Sequence, residues 1–419
     1  MKSQQSPAEL YAEREKRLRD AIELKIPDQV PVVLTMNYFP ARYVGGMDIS
    51  ASYYHYTSWR QATLKTLQEL APDIVAPAAG GPGPALAELN PRLYRWPGGS
   101  LGPNVMHQYL EGEPLKADEY DQFLADPGDF TLRVYLPRIW ASLEPLATLP
   151  SLTSLWGAGV LASRSTAFSS PAVVGAFEAL ARAGREQAKY QKALGGLDDE
   201  LAERGFPQMQ HGHAAAPFDV VSDHLRGMAG TMLDMYRHPE QLKRTCEMIL
   251  DQSIASGSLA LKSKWGNPIR VGSALHRGSD GFMSLKQFET FYWPTLKELI
   301  LTLVAKGMVH VPFYEGDWAQ RLDYLKELPR AKTIARFALT DMARAKAALA
   351  GHTCIMGGVP HTLMQIASPS EIEDYVKKLI KTCGKNGGLI ISTSTGLTHE
   401  AKPENVRAII EAARKYGRY

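Results

Sequence analysis

The sequence predicts an α/β chain folded as one (β/α)8 TIM barrel over residues 1–419, with a helical insert at about residues 113–205. Three observations predict it. Short apolar runs alternate with amphipathic stretches through the second half, at roughly 25 to 45 residues per unit. Glycines and polar side chains gather where each apolar run ends, while the starts are plain, as expected when one mouth of a barrel carries the chemistry. The composition is that of an ordinary globular chain, with 45% hydrophobic and 22% charged residues.

The first half offers apolar runs at 30–37 and 73–77, both read as strands. A long helical region follows at 117–204, interrupted by Pro, Gly and Ser around 149–171. Residues 208–216 read as a strand, and Ser222 as the N-cap of the next helix. The strand at 267–274 runs into His276-Arg277-Gly278-Ser279-Asp280. Ser284 with Gln287 three residues on announces a helix through Ala305, which Gly307 stops. A strand at 308–313 ends in Tyr314-Glu315-Gly316-Asp317, with a helix expected at 318–327. Then come a strand at 332–338, a helix from Thr340-Asp341 to Ala350, and a strand at 353–356 ending in Gly357-Gly358-Val359-Pro360. The helix at 370–382 carries Glu371 and Glu373 in its first turn, where the dipole favours acids. A strand at 389–393 and a helix at 403–416 complete the rhythm.

The bulk numbers exclude several classes. Lys and Arg number 47 against 44 Asp and Glu, so the basic excess of a nucleic-acid protein is missing. Cys246, Cys354 and Cys383 are sparse and odd in number, which argues against a disulfide framework and for a reducing, cytoplasmic setting. The first 25 residues are polar and lack the apolar core of a signal peptide. No stretch reaches the roughly 18 apolar residues that a membrane helix needs.

The strand ends supply the candidate site residues. His276, Arg277 and Asp280 place an imidazole, a guanidinium and a carboxylate on one loop, as a substrate clamp with a general acid or as a turn with an internal Arg–Asp pair. Tyr314, Glu315 and Asp317 crowd two carboxylates and a phenol on the next; crowding can keep one acid protonated, while the plain alternative is Asp317 as a helix cap. His211 and His213 alternate on a strand and so share a face, which suits substrate contact better than a metal in the absence of a third ligand. Asp219 and Arg226 flank the helix opening after that strand. Tyr53, Tyr54, His55, Tyr56 and Trp59 form an aromatic cluster, as a lid or as ordinary packing. Asn37 ends the first strand, and Thr395 lies in a hydroxyl-rich turn after the last, where backbone N–H groups can hold an anion.

The ordered set is more specific than its parts. Phe282-Met283-Ser284-Leu285-Lys286-Gln287-Phe288-Glu289 precedes Phe291-Tyr292-Trp293-Pro294. Glu315-Gly316-Asp317, Asp341-Met342-Ala343-Arg344-Ala345-Lys346, Gly357-Gly358-Val359-Pro360 and Pro403-Glu404-Asn405-Val406 follow. Leu225-Arg226-Gly227, Asp234 and Pro239-Glu240 belong to the same pattern. From about Pro217 onward the chain resembles the uroporphyrinogen decarboxylase superfamily, which implies a (β/α)8 barrel. True decarboxylases of that superfamily carry an arginine-rich RQAGRY-like run near the first strand, where this chain has Met36-Asn37-Tyr38-Phe39-Pro40-Ala41-Arg42. Their histidine at the last strand end falls near Thr395. Thiol-methylating members carry zinc on His-x-Cys and a further Cys, where this chain has Phe313-Tyr314-Glu315 and Ser394-Thr395, so no bound zinc is expected.

The resemblance therefore implies a corrinoid-dependent methyltransferase that demethylates a small O-methyl or N-methyl substrate. The corrinoid (cobalamin) would ride on a partner protein, because the chain lacks a DxHxxG motif. Glu315, His276 and Asp280 are the expected catalytic groups. Arg277, Tyr314, Asp317, Asp219, Arg226, His211, His213, Asn37 and Thr395 are expected to contact substrate. The alternative is a decarboxylase or C–C lyase acting on a small acid held by Arg277 and Arg226. A homodimer through the barrel mouths is a further expectation by analogy.

Overall fold

The computed structural model describes residues 5–419, so residues 1–4 of the polar N-terminal segment lie outside the described residues. Its strands are β1 (Val33–Asn37), β2 (Ile74–Ala78), β3 (Tyr94–Arg95), β4 (Gln108–Tyr109), β5 (Gly212–His213), β6 (Arg270–Leu275), β7 (Val309–Tyr314), β8 (Ile334–Phe337), β9 (Cys354–Val359) and β10 (Leu389–Thr393). β5 to β10 pair in sequence order as a parallel sheet, and β1 pairs parallel with β2. Two bridges close the ring: Val32 with Ile391, and Val75 with Gln208 just before β5. The result is the expected eight-stranded α/β barrel. The antiparallel pair β3–β4 lies outside it.

Between β2 and β5 the chain makes the insert. Its longest helix, Pro171–Leu194, is capped by Ser170 and packs a small cluster of its own with Leu143, Leu146, Leu149, Val173 and Ala176. No helix among the described residues is long and apolar enough to cross a membrane.

Three expected helices differ, each for a local reason. The helix from Ser284 begins with the expected capping box, but turns through a wide π segment at Phe288–Tyr292 before Trp293–Ala305. Pro294 has no N–H to donate to the helical ladder there. Residues 318–327 yield only a 3-10 turn at Tyr324–Glu327. The N–H of Trp318 goes instead to Thr340 Oγ1 and that of Gln320 to Asp280. The helix after β5 starts at Pro217, so Ser222 lies inside the π segment Val221–Leu225 rather than at an N-cap.

The barrel interior divides along its axis. At the N-terminal end, Val33, Ile74, Met209, Val309, Val311, Ile334, Cys354, Met356 and Ile390 form one buried cluster with Leu18, Ala21 and Ile22 of the helix Pro7–Ile22. That helix is a plug. Its Glu15 pairs with Arg270 Nη1 at 2.6 Å, and Arg270 is fully buried. Toward the other end the register puts Asn37 beside Ala78, and Phe313 beside Arg336. These inward positions, with Thr35 and Ala274, are only half-buried, whereas the outward Leu34, Met36, Leu275, Tyr314 and Phe337 are buried against helices. The barrel is thus filled below and hollow above.

Candidate active site at the barrel mouth

β6 ends at Leu275, and the chain then crosses the mouth as His276-Arg277. One buried carboxylate holds that crossing. Asp219 Oδ2 accepts from the His276 N–H at 3.0 Å, and Oδ1 from the Arg277 N–H at 3.0 Å. Tyr292 Oη donates to Oδ2 at 2.8 Å. Burial pushes the Asp219 carboxyl up to about 6, despite these donors and the His276 charge. An Asp219→Ala variant should lose about 3 kcal/mol or more, because three donors lose their acceptor; a denaturant midpoint equal to wild type would show that the crossing holds itself.

Asp223 follows on the same helical stretch and faces the side chains. It accepts from Arg277 Nη2 at 2.7 Å and lies 2.5 Å from His276 Nδ1. Ser222 Oγ accepts from Arg277 Nε at 2.9 Å. Burial opposes ionisation of Asp223, yet His276 and Arg277 hold its carboxyl below the usual range. The hydrogen bond to Asp223 raises the His276 pKa above the ordinary imidazole value, with burial opposing and the charges of Asp219 and Glu315 assisting. With Nδ1 committed to Asp223, Nε2 is turned to Glu315, whose Oε2 is 3.7 Å away. The Glu315 side chain is 52% exposed, so the pair opens to the mouth. His213 stands beside His276; burial first, and the His276 charge second, keep its pKa low.

A second wall comes from β1, the segment after it and the β3–β4 pair. Tyr38 Oη lies 2.6 Å from His107 Nδ1 and 3.1 Å from Tyr53 Oη, which lies 2.7 Å from Tyr94 Oη. Tyr109 packs on Tyr94 with ring centroids 5.0 Å apart. Asn37 ends β1 with φ of 38°, a left-handed value that Asn tolerates. The turn containing Thr395 lies against it: a Cβ at Gly396 would sit 2.0 Å from Asn37 Nδ2, so a larger residue there would displace the Asn37 amide.

The structure brings His276, Arg277, Asp219, Glu315 and His213 together, and Asn37 next to the Thr395 turn. It places other expected residues elsewhere. Asp280 pairs with Arg321, not with Arg277, and also accepts from the Gln320 N–H. Asp317 Oδ1 accepts from the Ala319 N–H at 3.0 Å in an exposed turn. Tyr314 points out of the barrel, its ring 4.6 Å from Trp318 and 5.3 Å from Phe337. Arg226 is buried against Asp234 Oδ2 at 2.5 Å and the Leu115 carbonyl at 2.6 Å. His211 does not share a face with His213: its Nδ1 accepts from the Arg270 N–H at 3.1 Å, and burial pushes its pKa down to about 3. In the aromatic cluster, Trp59 is core and Tyr54 accepts from Trp96 Nε1 at 2.9 Å.

Sequence reasoning missed Asp223, Tyr292, His107 and Tyr109. Asp223 had a signal, because it lies four residues after Asp219 on a helical stretch. All three cysteines are buried, so no thiolate reaches the rim and the donor set does not fit a thiolate zinc site. Among the described residues, no group of three or more His, Cys, Asp or Glu has metal-holding geometry.

Comparison with known proteins adds three findings. Residues 185–416 match the family described as uroporphyrinogen decarboxylase (URO-D). A uroporphyrinogen decarboxylase of Idiomarina loihiensis is 24% identical over 180 residues, which cover 42% of this chain and 46% of that one. The chain thus spans under half the length of this curated relative. A solved methyltransferase from Methanosarcina mazei shares the fold with a TM-score of 0.60 and 14% identity, over 96% of this chain and 98% of that one.

Proposed function

The chain belongs to the uroporphyrinogen decarboxylase family, and from that premise we propose that it is a corrinoid-dependent methyltransferase that demethylates a small O-methyl or N-methyl donor. The observation that carries the reading is the Asp223–His276–Glu315 relay at an open mouth. The likeness in fold to the Methanosarcina mazei methyltransferase supports it, as does the Met36–Arg42 segment, which lacks the arginine-rich run of true decarboxylases.

A reduced corrinoid on a partner protein supplies the nucleophile that takes the methyl group. This chain's residues do the rest. The donor sits in the hollow upper barrel. When its C–O bond breaks, the leaving oxygen needs a proton, and His276 delivers one from Nε2. Asp223 holds the imidazole in the tautomer and orientation for that transfer. Glu315 draws the Nε2 proton toward the mouth, and Arg277 steadies Asp223. The β3–β4 wall supplies an aromatic surface that suits an aryl ether or a methylated ammonium group.

The test is anaerobic incubation of the purified chain with free cob(I)alamin and a panel of methoxylated aromatics and methylated amines. Donor-dependent loss of the Co(I) absorbance, reduced in Glu315→Gln, is the expected result. The family's name and the Idiomarina loihiensis relative favour a second reading, a decarboxylase acting on a small acid. Carbon dioxide release without any corrinoid would move the assignment there.

A further inference from the structure

Arg336 is a charged residue in the middle of β8, Ile334-Ala335-Arg336-Phe337, a strand otherwise apolar. Its register partners are Phe313 and Met356. Met356 lies in the interior cluster, so Arg336 points into the barrel, not toward the helices. Its guanidinium lies over the Phe313 ring, 4.5 Å from the centroid. Among the described residues no charged or hydrogen-bonding partner acts on it, and its buried Nε has no partner. Burial alone moves its pKa, down to about 10, and no neighbouring charge offsets the cost.

The other interior arginine is the contrast. Arg270 is saturated by Glu15 and by the carbonyls of Gln208, Met209 and Pro268. A guanidinium placed in a barrel core without such partners costs stability, and a protein retains that cost where a ligand supplies the missing anion. The space exists: Ala78 and Ala274 present little side chain at the upper interior, while Gly272, one layer below, leaves room that the Gln210 amide fills. Thr35 Oγ1 and Ser392 Oγ are also buried there without partners.

We propose that Arg336 is the anchor for a carboxylate group on the substrate, received inside the barrel below the His276–Glu315 pair. A carboxylate fits better than a phosphate. One planar guanidinium matches one carboxylate in a two-point fork, and no second cation stands beside it among the described residues. Phe313, already packed on the guanidinium, makes the same region suitable for an aromatic acid. Resting on the methyl-transfer reading, this narrows the donor to an anionic one, such as a methoxylated aromatic acid.

The test is calorimetric binding to the full chain, without corrinoid, of 4-methoxybenzoate and its neutral isostere 4-methoxybenzamide, with succinate and inorganic phosphate as further arms. Wild type should prefer the acid over the amide by about tenfold or more, and Arg336→Met should lose that preference. Arg336→Lys should keep part of it, since the charge stays and the fork is lost. Without ligand, Arg336→Met should melt at or above the wild-type temperature, an outcome that a merely structural arginine would not give. Equal binding of acid and amide, no binding of either acid, tighter binding of phosphate, or an unfolded Arg336→Met together with an Arg336→Lys that keeps no preference would each overturn the assignment. Acid binding without methyl transfer would remove only the transferase reading, and transfer from neutral donors alone would remove only this one.

Discussion

A His276→Gln variant should demethylate an ether donor about 10²- to 10⁴-fold more slowly than wild type, the range that a positioned general acid contributes. Glutamine preserves much of the shape and can still meet Asp223, so the loss reports the proton and not the fold. The donor decides the outcome. With a quaternary ammonium donor the leaving amine departs neutral and needs no proton, so the same variant should stay close to wild type. A uniform loss on both donor types would mean that His276 positions substrate instead of supplying a proton.

The pH dependence has a definite sign. The hydrogen bond to Asp223 raises the folded pKa of His276 above its ordinary value. The ether rate should therefore hold through neutral pH and fall as pH rises through that raised value, while Asp223→Asn should bring the fall to lower pH. Stability from the pair follows the same sense. It is fully present below the unfolded imidazole pKa of about 6.5, and is lost as pH climbs through the folded one.

The largest effect on stability should come from Glu15→Ala at the opposite end of the barrel. Glu15 accepts from both terminal nitrogens of Arg270, at 2.6 and 3.1 Å, and from the Asn267 N–H at 2.6 Å. Removing the carboxylate leaves a fully buried guanidinium uncompensated, which typically costs about 3–5 kcal/mol. It also frees the plug helix, whose Leu18, Ala21 and Ile22 complete the interior cluster. Urea unfolding should show a midpoint shift of that size. Replacing both partners by apolar residues, Glu15→Leu with Arg270→Met, should recover much of the loss, because desolvated charges then disappear together. A Glu15→Ala midpoint within error of wild type would mean that the three carbonyls alone satisfy Arg270.

The sequence was legible where a segment decides its own structure. Leu389–Thr393 is a continuous apolar run behind Gly387-Gly388, and Pro403–Tyr416 carries a clear helical stripe; both form at the expected bounds. Ser284 and Gln287 cap a helix as their spacing implies. β5 was harder, because only two of its residues pair as a strand and its ring contact on the β2 side is a bridge at Gln208. The site was legible as a set of strand-end loops, not as a set of partners. Asp219 reaches His276 across 57 positions, and no local pattern carries that distance. Arg226 has the residue type of a substrate anchor, but Asp234 and the insert's Leu115 carbonyl occupy its guanidinium. Arg336 has no local motif around it, although a charged residue pointing inward from an apolar barrel strand is itself the anomaly.

The filled floor and the hollow mouth give the two ends of this barrel different freedom to change over evolutionary time. A substitution at Met356, Ile390 or Val311 disturbs a packed interior and costs stability. One at Ala274 or Ala78, which are only half-buried, alters chiefly what the mouth can hold. Such a chain could acquire new donors by drift at a few inward positions of its upper half, while the plug helix and its ion pair keep the scaffold intact.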